Sequence, residues 1–166
     1  MKFSADSLDF FSEEKDAGIA ASNRIKGIVL HDILAKVIVP EDLDTAIRSA
    51  LYCGDISSDQ YIQVKELLES RVREAAGRGW FPSEGAQVLN EASVIDTDGS
   101  VYRPDRVVKT GRSVIIVDYK FGEHNSRYER QMNRYMQLWT RMGYEDVSAY
   151  LWYVQTGEVV PVQASL

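Results

Sequence analysis

The run Val114-Ile115-Ile116-Val117 leads directly into Asp118-Tyr119-Lys120. A continuous β-branched segment over Ser113–Val117 is the signature of a central strand buried on both faces. Charged residues at the end of such a strand are costly unless they are paired, so Asp118 and Lys120 need a reason to be there. Side chains alternate along a strand, and the two therefore project from the same face. A carboxylate and an ammonium two positions apart can meet one substrate group together.

The rest of the chain supplies the layers that a buried strand requires. At 166 residues it fits one domain, with a polar lead-in over residues 1–21 and a single domain over 22–166. A helix pattern runs from Ser22 to Val39 with apolar residues around most of its circumference, which marks it as buried, and Pro40 breaks it. Glu41 and Asp42 open a second helix that Gly54 stops. Ser57-x-x-Gln60 reads as a capping box for a third, with Val64, Leu67, Leu68 and Val72 as its stripe and Gly77 beyond its end. Strands follow over Val88–Ile95 and Val101–Lys109 around the turn Asp96-Thr97-Asp98-Gly99, and the central strand comes after Thr110-Gly111. Tyr128, Met132, Tyr135, Leu138 and Met142 recur at helical spacing before Gly143. Val147–Val154 and Val159–Val162 end the chain as strands. Three helices, a three-strand meander, a helix and two strands make a mixed α/β (α+β) domain around one central mixed sheet.

Turn geometry links Asp118 to earlier residues. A two-residue Thr110-Gly111 loop would set Lys109 opposite Arg112 and Asp118 opposite Arg103, with Asp105 two positions along on the same face. A three-residue Thr97-Asp98-Gly99 loop would set Glu91 opposite Asp105. Three carboxylates and Lys120 then share one patch, provided that neither register slips by one residue. Clustered carboxylates repel unless a cation sits among them, and an oxygen-rich site of this kind suits Mg²⁺ or Mn²⁺. Such an ion activates water and stabilises charge building up on a phosphate. Lys120 would orient or deprotonate the attacking water, or neutralise the phosphoryl group. The plainer reading of these residues is an ion-pair network at a strand end.

Composition narrows the function classes. Lone Cys53 excludes an internal disulfide and any cysteine-built zinc or iron–sulfur site. The acidic N-terminus has no signal-peptide core and no run is apolar enough to span a membrane, so the chain reads as cytoplasmic. A net charge of −6 argues against a stand-alone nucleic-acid binder, since phosphate contacts dominate such affinity.

Arg103-Pro104-Asp105 followed by Asp118-Tyr119-Lys120 resembles the PD-(D/E)xK nuclease signature, and the element order resembles that superfamily's restriction-endonuclease-like core. Within that superfamily the chain resembles the RecB-type nuclease domain at the C-terminus of UvrD-like helicases of the RecBCD/AddAB class. Gly27-x-x-x-His31 resembles that family's N-terminal histidine motif, Glu91 its first-strand acid, and Gln131-x-x-x-Tyr135 its Gln-x-x-x-Tyr helix. The resemblance covers about residues 22–154. It implies Asp105 and Asp118 as metal ligands, His31 and Glu91 as supporting ligands, and Lys120 as the catalytic lysine. Gln131 and Tyr135, with Tyr128 one turn earlier, would contact nucleic acid or support the site. It implies Mg²⁺ or Mn²⁺ as cofactor, DNA as substrate, a helicase motor in a longer chain, and room for a second helicase–nuclease subunit. No phosphate-binding loop of a motor occurs in this chain, and no iron–sulfur cluster is expected. Taken singly, His31 on an apolar helix also fits a hydrogen-bonded core histidine. Trp139, Tyr150 and Trp152 read as core aromatics, and His124 as a solvated loop residue. A non-catalytic DNA-guiding or scaffold domain is the alternative class, and a restriction-like or RNA-processing enzyme a third.

Overall fold

The computed structural model describes residues 25–164, so the lead-in expected over 1–21 lies outside the described residues. Helix α1 spans Gly27–Ala35. It stops short of Val39 because other groups claim the backbone beyond it. The Asp42 carboxylate accepts the N–H groups of Ile38 and Val39 at 2.9 and 3.0 Å, and Pro40 disfavours a helical Val39. Helix α2 follows over Asp42–Cys53, with Asp42 and Asp44 in its first turn and Gly54 at its end. Helix α3, Ser58–Gly77, carries the capping box: Ser57 Oγ accepts from the Gln60 N–H, and Gln60 Oε1 accepts from the Ser57 N–H. Gly77 is its last residue, not the residue beyond it.

The strands are β1 (Gln87–Asn90), β2 (Val94–Ile95), β3 (Val101–Tyr102), β4 (Arg106–Thr110), β5 (Ser113–Lys120), β6 (Asp146–Tyr153) and β7 (Glu158–Val162). Five form a mixed sheet in the order β1-β4-β5-β6-β7, while β2 and β3 make a separate ribbon. Strands β5 and β6 are parallel, and the chain between them forms helix α4, Ser126–Arg141. Pro161 sits on the edge strand β7, where a missing N–H costs the ladder least.

Two sequence expectations need correction. The first hairpin is not two unbroken strands. Glu91 takes a left-handed backbone (φ 50°), and Pro104 on the opposite chain has no N–H to give to a ladder. The pairing frame nevertheless runs through the break: Asn90 faces Arg106, the Glu91 N–H donates to the Asp105 carbonyl at 3.0 Å, and Val94 faces Tyr102. Glu91 therefore lies opposite Asp105, as the loop length implies. In the second hairpin Thr110 pairs with Ser113, so the turn is Gly111-Arg112, with Gly111 supplying φ 59°. Lys109 faces Val114, not Arg112. One step beyond the Arg106–Val117 pair, Asp118 falls opposite Asp105 and not Arg103. The frame moves by two residues, so every side chain keeps its face.

Two apolar layers clamp the sheet. Leu30, Ile33 and Leu34 of α1, with Ala46 and Ile47 of α2 and Val64, Leu68 and Val72 of α3, pack on the face bearing Val117, Tyr119 and Trp152. On the opposite face Met132, Tyr135, Met136 and Trp139 of α4 pack on Val107, Val114, Ile116 and Leu151. Asp118 and Lys120 continue the Val114–Ile116 face, at the end of β5 where that second core runs out. Trp139 and Trp152 are core residues and Tyr150 packs against the first layer. Among the described residues no helix is long and apolar enough to cross a membrane.

Candidate functional site

Five segments meet where β5 ends and β4 begins: α1, the chain just after β1, the chain just before β4, β5 itself and the start of α4. The His31 imidazole of α1 brings Nε2 to 2.8 Å from Asp105 Oδ1. Its other nitrogen lies 3.6 Å from Glu91 Oε1 and 3.7 Å from Asp32 Oδ1. The second Asp105 oxygen accepts the Tyr119 N–H at 2.6 Å, which fixes the carboxylate across the strand pair. Lys120 Nζ lies 2.6 Å from Asp118 Oδ2 and 4.0 Å above the Tyr128 ring. His31, Glu91, Asp105, Asp118, Lys120 and Tyr128 are thus brought together. Gln131 and Tyr135 form their own pair further along α4, Gln131 Nε2 donating to the Tyr135 hydroxyl at 3.1 Å. The Tyr135 ring meets Tyr102 edge-on.

Gly27 explains how a helix on one face reaches a site at the sheet's end. A Cβ at Gly27 would lie 2.5 Å from Phe121 Cβ and 2.7 Å from its Cγ. The absent side chain lets α1 sit directly on the segment after Lys120, and one turn later His31 emerges over Asp105.

Burial sharpens the electrostatics. Burial pushes the Asp118 carboxyl up to about 7, and the Asp105 charge adds to that push against the pull of Lys120. Burial works in the same direction on Asp105, but the His31 charge and hydrogen bond, Lys120 and the Tyr119 N–H hold it below the usual carboxylate range. Burial alone would lower His31. The Asp105 carboxylate, helped by Glu91 and Asp118, overrides it and carries the imidazole up to about 9. Lys120 is raised in the same way: burial opposes its charge, and Asp118 and Asp105 outweigh that cost. The two central carboxyls are driven apart, as like charges sharing one site must be.

No protein-family model and no curated protein sequence matches the chain. A solved structure entitled "Crystal structure of SSO0001" is 13% identical, with a TM-score of 0.34 over 81% of this chain and 67% of that one. A likeness of that size carries no argument about activity.

The donor set itself fits a hard divalent cation. Asp105, Asp118 and Glu91 offer oxygens and His31 one nitrogen, a mixture that suits Mn²⁺ or Mg²⁺. In the structure His31 and Lys120 neutralise the two aspartates, and a cation would compete with both for the same oxygens.

Sequence reasoning missed Arg106, the residue that anchors this end of the sheet. Its side chain is wholly buried. It donates to the carbonyls of Trp80 (2.6 Å), Val37 (2.7 Å) and Ile38 (2.6 Å) and to Asn90 Oδ1 (3.1 Å), and it lies over the Phe81 ring at 3.7 Å. One guanidinium ties the α1–α2 turn, the segment after α3 and β1 to the residue beside Asp105. The available signal was its phase: Arg106 shares a strand face with buried Val108. His124 is exposed, as expected of a loop residue, yet it stacks on Tyr153 and bonds Glu158.

Proposed function

We propose that this chain is a divalent-metal-dependent nuclease domain that hydrolyses DNA phosphodiester bonds. The observation that carries the reading is the meeting of Asp105 and Asp118 on adjacent strands, with Lys120 beside one and His31 beside the other. A purely structural ion-pair network has no need of two mutually repelling, buried carboxylates.

Asp105 and Asp118 would hold the metal, with Glu91 and His31 as supporting ligands, and the Tyr119 N–H fixes the Asp105 carboxylate. Mg²⁺ or Mn²⁺ bound there supplies charge stabilisation for the phosphate and a more acidic water. The Lys120 ammonium, flanked by Asp118 and the Tyr128 ring face, orients the attacking water and donates to the charge that builds on the phosphoryl oxygens. The net charge of −6 favours a domain whose DNA is delivered to it. A UvrD-like motor in a longer chain, in repair or recombination, fits that need by raising local substrate concentration.

The test is Asp118→Ala, assayed on single-stranded and duplex DNA with Mg²⁺ or Mn²⁺, with and without chelator. Wild type cleaves only with metal. The variant loses cleavage while circular dichroism shows an unchanged fold. Equal cleavage by the variant, or cleavage in chelator, overturns the assignment. Metal-independent DNA binding without cleavage would move the chain to the DNA-guiding class.

A further inference from the structure

Helix α4 carries Arg127, Arg130, Arg134 and Arg141 against a single acid, Glu129. It is a +3 segment in a chain of net −6, so the remaining residues carry −9 (−6 less +3). At 100° per residue these four arginines fall within about 60° of one another on the helix, away from the face that buries Met132, Met136 and Trp139. All four are exposed. Arg141 bonds Asp96 at 2.6 Å, which pins the end of the row to the turn between β2 and β3. Among the described residues neither Arg130 nor Arg134 has an ion-pair partner, although acids outnumber bases in the chain as a whole. Packing does not require two unpaired guanidinia on adjacent turns, and i,i+4 support would have placed acids there.

The same helix runs into the site. Tyr128, one residue from Arg127, lies under Lys120 Nζ. Gln131 lies between the arginine row and the buried face and donates to the hydroxyl of buried Tyr135. We infer that the exposed arginine row of α4 is the track along which the phosphate backbone of a nucleic-acid strand reaches the carboxylate cluster. Arg127 to Arg134 spans about 10 Å of helix axis at about 1.5 Å per residue. That reach serves two or three consecutive phosphates of one extended strand. The guanidinium fork suits phosphate oxygens better than a point charge would. The acidic remainder of the surface repels the strand elsewhere and confines it to this path. The inference rests on the nuclease reading for its destination, though not for its charge argument.

The experiment uses a labelled single-stranded oligonucleotide and the full chain, with Ca²⁺ replacing Mg²⁺ so that binding is read without turnover. Three phosphate contacts give a slope of log affinity against log salt of roughly −2. Arg130→Gln/Arg134→Gln removes two of them and brings the slope to about −0.7. A matched charge change on the opposite side of the sheet, Arg73→Gln/Arg78→Gln, leaves the slope unchanged. An unaltered slope in the α4 variant, or an equal loss in the control, overturns the track. So does a wild type that fails to bind at low salt. Cleavage of the same oligonucleotide in Mn²⁺ is scored separately: its absence alongside an intact, arginine-dependent slope removes the nuclease reading and leaves the track standing.

Discussion

Replacing Arg106 with methionine keeps most of the side chain's bulk and removes its fork of donors. A buried ion pair can often be exchanged for apolar residues at no cost, because both charges leave together. Here the partners cannot leave. The Trp80 carbonyl belongs to the backbone and is bonded within the buried region, the Ile38 carbonyl is partly buried, and Asn90 Oδ1 loses its donor, while the Val37 carbonyl keeps the Asn90 Nδ2 donor at 3.0 Å. At about 1–3 kcal/mol for each buried acceptor left unsatisfied, the loss comes to roughly 3–5 kcal/mol after relaxation. That is a large share of the 5–15 kcal/mol typical of a domain. For a chain of this size it lowers Tm by on the order of 10 °C. Urea and thermal unfolding of Arg106→Met beside wild type measure it, with Arg106→Lys as the partner variant. Lysine restores charge without the planar fork and recovers less than half of the loss. If Arg106→Met unfolds within about 1 kcal/mol of wild type, the least that a single orphaned carbonyl costs, the clasp is not what holds the helical layer to the sheet.

Lys120→Ala lowers the single-turnover cleavage rate by roughly 100- to 1,000-fold while DNA affinity changes only a few-fold; an affinity loss that accounts for the whole rate loss makes Lys120 a phosphate anchor only. Gly27→Ala forces α1 and Phe121 apart, costs about 1–3 kcal/mol of stability and reduces metal-dependent cleavage; unchanged melting and unchanged cleavage refute the close-approach account. An NMR titration of the His31 ring in chelated protein should find it raised to about 9. Because that value lies above the unfolded one, the His31–Asp105 contact stabilises fully below about pH 6.5 and its contribution fades as pH rises through about 9. A His31 titration at the ordinary value removes the pairing. Asp105→Asn should bring it there.

The parts of this fold that were legible in the sequence are those set by local chemistry. Ser57 and Gln60 satisfy each other's backbone wherever the helix packs, and alternation along β5 puts Asp118 and Lys120 together whatever lies opposite. The carboxylate cluster survived a wrong turn for the same reason: a shift of two residues changes partners and spares faces. What stayed hidden depends on groups distant in sequence. Arg106 takes the Val37 and Ile38 carbonyls from 69 and 68 residues away, and an arginine heading a strand reads as solvent-facing until the carbonyls around it are known. The break at Glu91 was equally silent, since a left-handed glutamate has no sequence mark; only Pro104 hinted at it.

The His31–Asp105 bond joins residues 74 positions apart. Contacts of such separation pay their loop-closure cost before they return any stability, and in small proteins they accompany slow folding. By contrast Asp105 and Asp118 meet through a single tight hairpin. A growing or half-folded chain can therefore bring its two aspartates side by side well before the first helix docks over them. Until that docking the imidazole is missing and the strand end stands open to water. The cluster of His31 with Asp105 and Asp118 is complete only when the first-made and later-made parts of the chain have found each other.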